Sequence, residues 1–250
     1  MDEPIIRNSR SERLYTIVEG NVSSDKTIIF VHGFFATLHE NGYFDDLVVG
    51  LSDEYRIVRF DLSGVGQSEG ASESGNYKKW AGDLDAVLSY VQSVYSGSLY
   101  VFAQSMGCFV TTRLCPPGIT KAIMTGIPNS NVSYVQTCMV DYFGNRPGAH
   151  IDVRGFSRIP RKSGAITQVG PSFWSELAQC EPIEMLTHFT ALTPTHVMHA
   201  GNDEVLGDRY VNDYDTLPYV TAETIPGTTH SFIGTDVRKY IVRYTKQFFT

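Results

Sequence analysis

Cysteine is scarce and scattered: Cys108, Cys115, Cys138 and Cys180 are the only four in 250 residues, and no two have CxxC spacing. That pattern argues against a zinc cluster and against a paired redox motif, leaving buried or idle thiols. An excess of basic charge is also missing. The chain has 20 Lys and Arg against 27 Asp and Glu, a net charge of −7, so it offers no electrostatic footprint for a polyanion such as nucleic acid. No apolar run is long enough to span a bilayer, and Met1 to Asn8 lacks the apolar core of a secretory signal. The expectation is a soluble, cytoplasmic chain whose partners are small molecules or proteins, with oligomeric state left open. The triplets Asn21-Val22-Ser23 and Asn131-Val132-Ser133 would matter only in a secretory compartment and are read as chance. Internal repeats and low-complexity tracts are absent.

What is present is an alternation of short apolar runs with helical periods. Lys26 to His32, Tyr55 to Phe60 and Ser98 to Ala103 carry the β-branched and aromatic enrichment of buried strands. Between the last two, Trp80, Leu84, Val87, Leu88, Val91 and Val94 recur at helical spacing over Tyr77 to Tyr95. Apolar runs return at Ile119 to Ile127, Thr195 to Ala200 and Tyr219 to Ile225, before an amphipathic stretch at Val237 to Phe249. Strands alternating with helices predict an α/β fold in which a mostly parallel twisted sheet is covered by helices on both faces. The stretch 129–184 interrupts this order, rich in Gly, Pro, Tyr and basic residues. We read it as an inserted lid on a single core made of 1–128 and 185–250, the alternative being a loosely packed surface loop.

Chemistry concentrates at the ends of the expected strands. The run Gln104-Ser105-Met106-Gly107-Cys108 lies between a strand and the helix-like stretch Phe109 to Leu114. Small residues two before and two after Ser105 suit a sharp strand-to-helix turn that exposes a nucleophile, although Ala103 stands where glycine is more usual. Taken alone, Ser105 is also readable as a helix N-cap. A serine hydroxyl needs a base, and the base needs an orienting group. His230 follows the last expected strand, and Asp203 follows the strand before it, both on the sheet edge that carries Ser105. Glu204 is the rival acid and His199 the rival base. His32, closing a strand before Gly33, reads as a structural hydrogen-bonding residue; His39, His150, His188 and His196 have no comparable context. Backbone donors for a developing oxyanion are expected from Met106 and from Phe34, which follows Gly33 in the loop after the early strand. The glycine-rich Asp61-Leu62-Ser63-Gly64-Val65-Gly66 matches neither a phosphate loop nor a dinucleotide fingerprint, and Asp61 reads as a loop anchor.

Taken in order, His32-Gly33-Phe34, Arg59-Phe-Asp-Leu-Ser-Gly-Val-Gly-Gln-Ser68, Gln104-Ser-Met-Gly107, Gly201-Asn-Asp203 and Gly227-Thr-Thr-His230 resemble the motifs of the α/β-hydrolase superfamily. Within it the chain is similar to bacterial feruloyl or cinnamoyl esterases and related carboxylesterases. The resemblance implies a serine esterase with Ser105, His230 and Asp203 as its catalytic triad, Met106 and Phe34 as oxyanion donors, a small-molecule ester as substrate, and no cofactor or metal. Tyr134, Tyr142, Phe143 and Trp174, with Phe156 and Phe173, are candidates to line an acyl or aryl pocket. A thioesterase, a monoacylglycerol lipase, and a catalytically inert receptor on the same fold remain alternatives.

Overall fold

The computed structural model describes residues 1–161 and 164–250. The chain opens with a small antiparallel ribbon, β1 (Ile6–Arg7) with β2 (Arg13–Leu14), followed by β3 (Thr16–Gly20) and β4 (Lys26–Val31). Then come α1 (Tyr43–Leu51), β5 (Arg56–Phe60), α2 (Tyr77–Val94), β6 (Ser98–Gln104), α3 (Met106–Leu114) and β7 (Lys121–Thr125). After α4 (Val132–Gly144), a hairpin of β8 (Ser157–Pro160) and β9 (Ile166–Val169), α5 (Pro171–Leu177) and α6 (Pro182–Thr190), the chain returns to β10 (Thr195–Ala200) and β11 (Val220–Ile225) and ends in α7 (Thr235–Phe248).

Seven strands form one sheet in the order β11-β10-β7-β6-β4-β5-β3. Only β3 runs antiparallel to its neighbour. Because side chains alternate along a strand, each central strand feeds two cores. In β4, Ile29 and Val31 join Val58, Val101, Met124 and Val197 against Trp80, Leu84 and Leu88 of α2 and Phe109 of α3. Ile28 and Phe30 point the other way, joining Ile57, Tyr100, Phe102, Ile123 and Met198 against Phe44, Leu47 and Leu51 of α1 and Ile241 of α7. This double burial explains why these strands read as continuous apolar runs. Helix α2 starts where its periodicity predicts, and Asn76 caps it by accepting the Lys79 N–H at 2.9 Å.

The described residues of 129–184 include α4, the β8–β9 hairpin, α5 and the first turn of α6, which runs on past the expected boundary. The longest helix of the stretch shows little period because it buries little: α4 buries only Val135, Met139 and Phe143, spaced four residues apart, a single narrow stripe. Phe143 and Phe173 pack on Phe34 at centroid distances of 5.2 and 4.8 Å, so the stretch sits over the loop that follows β4. Among the described residues no helix is long and apolar enough to cross a membrane.

Candidate active site

Strand β6 enters the sheet centre, and a single residue, Ser105, separates its last residue, Gln104, from the helix that begins at Met106. Ser105 must turn the chain in one residue, and does so at φ 53°, ψ −121°, a conformation that costs a non-glycine residue about 1–3 kcal/mol. Its N–H is held by the Thr125 carbonyl at 2.9 Å. The turn packs tightly: a Cβ on Gly107 would lie 2.3 Å from the Val31 carbonyl oxygen, and one on Gly33 would lie 3.1 Å from the Ser105 Cβ. This close approach is the physical reason for both glycines.

Loops after β10 and β11 bring the other two side chains to the same edge. The Ser105 hydroxyl donates to His230 Nε2 at 2.8 Å, and His230 Nδ1–H donates to Asp203 Oδ2 at 2.7 Å. A carboxylate against Nδ1 selects the tautomer that leaves Nε2 as acceptor. The second Asp203 oxygen, Oδ1, accepts the Val205 and Leu206 N–H groups at 3.0 and 2.8 Å, which holds the carboxylate in place. All three side chains are nearly shut from solvent. Burial by itself would push the His230 pKa down, but the charge and hydrogen bond of Asp203, helped by Glu40 and Glu204, outweigh it and hold the pKa above the ordinary histidine value.

The rivals for these positions are engaged elsewhere. Glu204 accepts the backbone N–H of His230 at 2.9 Å and so supports the loop. His199 faces Asp215 at 3.3 Å. His32 donates from Nδ1 to the Gly33 carbonyl at 2.9 Å and accepts the Leu62 N–H on Nε2 at 3.0 Å, with its pKa lowered by burial. Asp61 anchors the glycine-rich loop by accepting the Leu38 and Gln67 N–H groups at 2.7 and 2.8 Å. Gln104 joins the relay from behind, donating to the His230 carbonyl at 2.8 Å.

Ser105 and His230 open onto a cavity of about 560 Å³. Phe34 and Met106 stand on its wall; Met106 opens α3, so its N–H has no intrahelical partner. Of the four residues expected to shape a pocket, Tyr142 and Phe143 line the cavity. Tyr134 and Trp174 do not. Tyr134 packs on Gly207 and on the Tyr210 ring at 5.6 Å, and Trp174 is buried with its indole N–H on Ser157 Oγ at 3.2 Å. Phe173 is packed among Phe34, Tyr77 and Trp80, while Phe156 is exposed. Aromatic content marked the segment, but the side each ring faces depends on α4, α5 and the hairpin.

Sequence reasoning missed Glu40 and Arg161, which also line the cavity. Glu40 sits at φ 44° in the loop after β4, fully enclosed, and its Oε2 accepts the Gly33 N–H at 2.5 Å. Burial raises its pKa to about 7, against the lowering effects of that N–H, His230 and Arg161. No local signal in the sequence marks it, because Glu40 stands between the polar residues His39 and Asn41. Because folding favours its neutral form, the contribution of Glu40 to stability is full below its unfolded value of 4.5 and is lost as pH rises through about 7. Glu40→Gln is therefore expected to gain stability relative to the parent protein as pH is raised from about 5 to about 8, read as the difference in urea midpoints. A constant difference across that range would show that Glu40 does not titrate there.

A sheet of this order, with a serine turn after its central strand and an acid and a histidine on the loops after its last two, defines the α/β-hydrolase fold. Residues 26–124 match the family model described as alpha/beta hydrolase fold, and the likeness to solved structures shows the same fold over nearly the whole chain. It is similar in structure to Est1E from Butyrivibrio proteoclasticus, solved with ferulic acid bound, with a TM-score of 0.79 at 17% identity over 98% of this chain and 97% of the other. The mouse alpha/beta hydrolase domain-containing protein 10 aligns with a TM-score of 0.70 at 18% identity over 99% and 98% of the two chains. The Pyrococcus furiosus esterase PF2001 aligns at 0.72 and 17% over 100% and 91%. No curated protein sequence matches the chain significantly.

Proposed function

We propose that this protein is a serine hydrolase that cleaves carboxylic esters through an acyl-enzyme intermediate. The observation that carries the reading is the continuous relay from Ser105 Oγ through His230 to Asp203, at 2.8 and 2.7 Å, opening onto a cavity lined by Phe34 and Met106. In this reading His230 takes the Ser105 proton as the hydroxyl attacks the ester carbonyl, and the Phe34 and Met106 N–H groups receive the oxyanion. His230 then protonates the departing alcohol. Water, activated by the same imidazole, releases the acid and restores Ser105.

The aromatic wall of Phe34, Tyr142 and Phe143 favours short acyl or aryl acyl groups, and the ferulic acid held by Est1E supports the same direction. The stretch 129–184 acts as the lid, since it supplies Met139, Tyr142, Phe143, Arg146 and Arg161 to the cavity. The test is a stopped-flow record with p-nitrophenyl butyrate together with intact-protein mass spectrometry. A burst of p-nitrophenol and a butyryl group on Ser105 are expected. The acid limb of kcat/KM should lie above the ordinary histidine value, because His230 must be neutral to act and its pKa is held up. Turnover that never acylates Ser105 would overturn the reading.

A further inference from the structure

The protein carries a net charge of −7, yet the cavity around Ser105 has the opposite balance. Arg146, Arg161 and Arg238 line it against Glu40, the only Asp or Glu among its described lining residues, and burial holds that acid up to about 7. Two of the three arginines are already committed. Arg238 donates to the Phe232 and Gly42 carbonyls and to Asp46. Arg146 donates to the Pro160 carbonyl at 3.0 Å and lies over the Tyr142 and Phe143 rings.

Arg161 is different. Its Nε donates to Thr167 Oγ1 at 2.8 Å, which aims the guanidinium from the start of the hairpin turn across the faces of Phe34 and Phe35, each with its centroid 5.5 Å away. Among the described residues its Nη2 is buried without a hydrogen-bond partner. Buried donors are almost always paired, because leaving one unmade forfeits its hydration for nothing. Burial and the neighbouring Arg146 charge also hold the Arg161 pKa down to about 10, so the group remains charged at neutral pH in surroundings that disfavour the charge. An anion held in the cavity against the guanidinium would offset both the burial and the Arg146 charge. The planar guanidinium fork matches a carboxylate in particular.

Resting on the hydrolase reading above, we propose that Arg161 is the specificity-determining residue of this cavity and that the preferred substrates are esters carrying a second, ionised carboxylate, which the Arg161 guanidinium receives. The reaction remains ester hydrolysis by Ser105, and the extra carboxylate takes no part in bond making.

Wild-type protein, Arg161→Gln and Arg161→Lys would be compared by pH-stat on two pairs: monomethyl glutarate against methyl pentanoate, with the charge on the acyl side, and butyryloxyacetate against ethyl butyrate, with the charge on the alcohol side. In at least one pair the wild type is expected to favour the anionic ester by about tenfold or more in kcat/KM. Arg161→Gln should remove that preference and Arg161→Lys should retain part of it, consistent with the usual strength of a charge-assisted hydrogen bond. Absence of the preference in both pairs, a measurement that needs only wild-type protein, would overturn the proposal, as would an unchanged ratio in folded Arg161→Gln. Calorimetric titration of monomethyl glutarate and butyryloxyacetate into Ser105→Ala and Ser105→Ala/Arg161→Gln separates this inference from the hydrolase reading. Weaker binding of either anion by about tenfold in the double variant supports the anion site even if turnover fails. Equal binding of both removes the site even if Ser105 proves to be the nucleophile.

Discussion

Ser105→Ala is expected to lower kcat for p-nitrophenyl acetate and butyrate by about four to six orders of magnitude, the loss typical of removing the nucleophile from a relay whose members act as a unit. KM should change little, because the cavity wall formed by Phe34, Tyr142 and Phe143 is untouched. What remains would come from the backbone donors and from binding alone. The same position also tests the turn. Ser105 lies at φ 53°, ψ −121°, and glycine adopts such angles without Cβ strain, at the cost of more entropy lost on folding. Ser105→Gly is therefore expected to be as inactive as Ser105→Ala yet more stable than it by about 1 kcal/mol, seen as a higher urea midpoint. Equal rates for wild type and Ser105→Ala would sink the hydrolase mechanism and favour a binding protein on this fold.

The second large effect is expected at Asp203. Asp203→Asn keeps an oxygen for the Val205 and Leu206 N–H groups but removes the charge that holds Nδ1–H of His230. An amide in that place can present its own N–H₂ to the ring and favour the wrong tautomer, and such a change costs about 10³–10⁴ in kcat. The acid limb of the pH profile should also move to lower pH, since Asp203 is the chief influence raising the His230 pKa against burial. Glu204→Gln is the control. Its side chain meets the His230 backbone N–H, not the ring, and a glutamine oxygen can still accept that bond, so the expected loss is below about tenfold. A larger loss from Glu204→Gln than from Asp203→Asn, measured as kcat/KM on the same ester, would reassign the acid.

Much of the fold could be read without coordinates because the central strands are buried on both faces. The run Lys26 to His32 predicted β4 to within one residue, and Thr195 to Ala200 coincides with β10. The antiparallel start was not readable. Strands β1 and β2 are two residues long, too short for any period, and β3 is recognisable only by its pairing with β5. Helix α3 begins three residues before the apolar stretch that suggested it, because Met106 and Gly107 belong to the turn and to the helix at once.

The sequence by itself determined the order of the site: a serine between strand and helix, then an acid, then a histidine, each just beyond a strand end. Parallel strands in one sheet bring those ends to one edge, so order along the chain becomes proximity in space. Tertiary structure decided what side chains do once there. It separated Asp203 from Glu204 by aiming one at the imidazole ring and the other at the His230 backbone, and it turned Tyr142 and Phe143 into the cavity while turning Tyr134 and Trp174 away. It also brought Glu40 and Arg161, 121 positions apart in the chain, to the same cavity. The physical reason is that burial and hydrogen-bond geometry depend on contacts across the whole fold, whereas strand and helix periods are local and survive in the sequence.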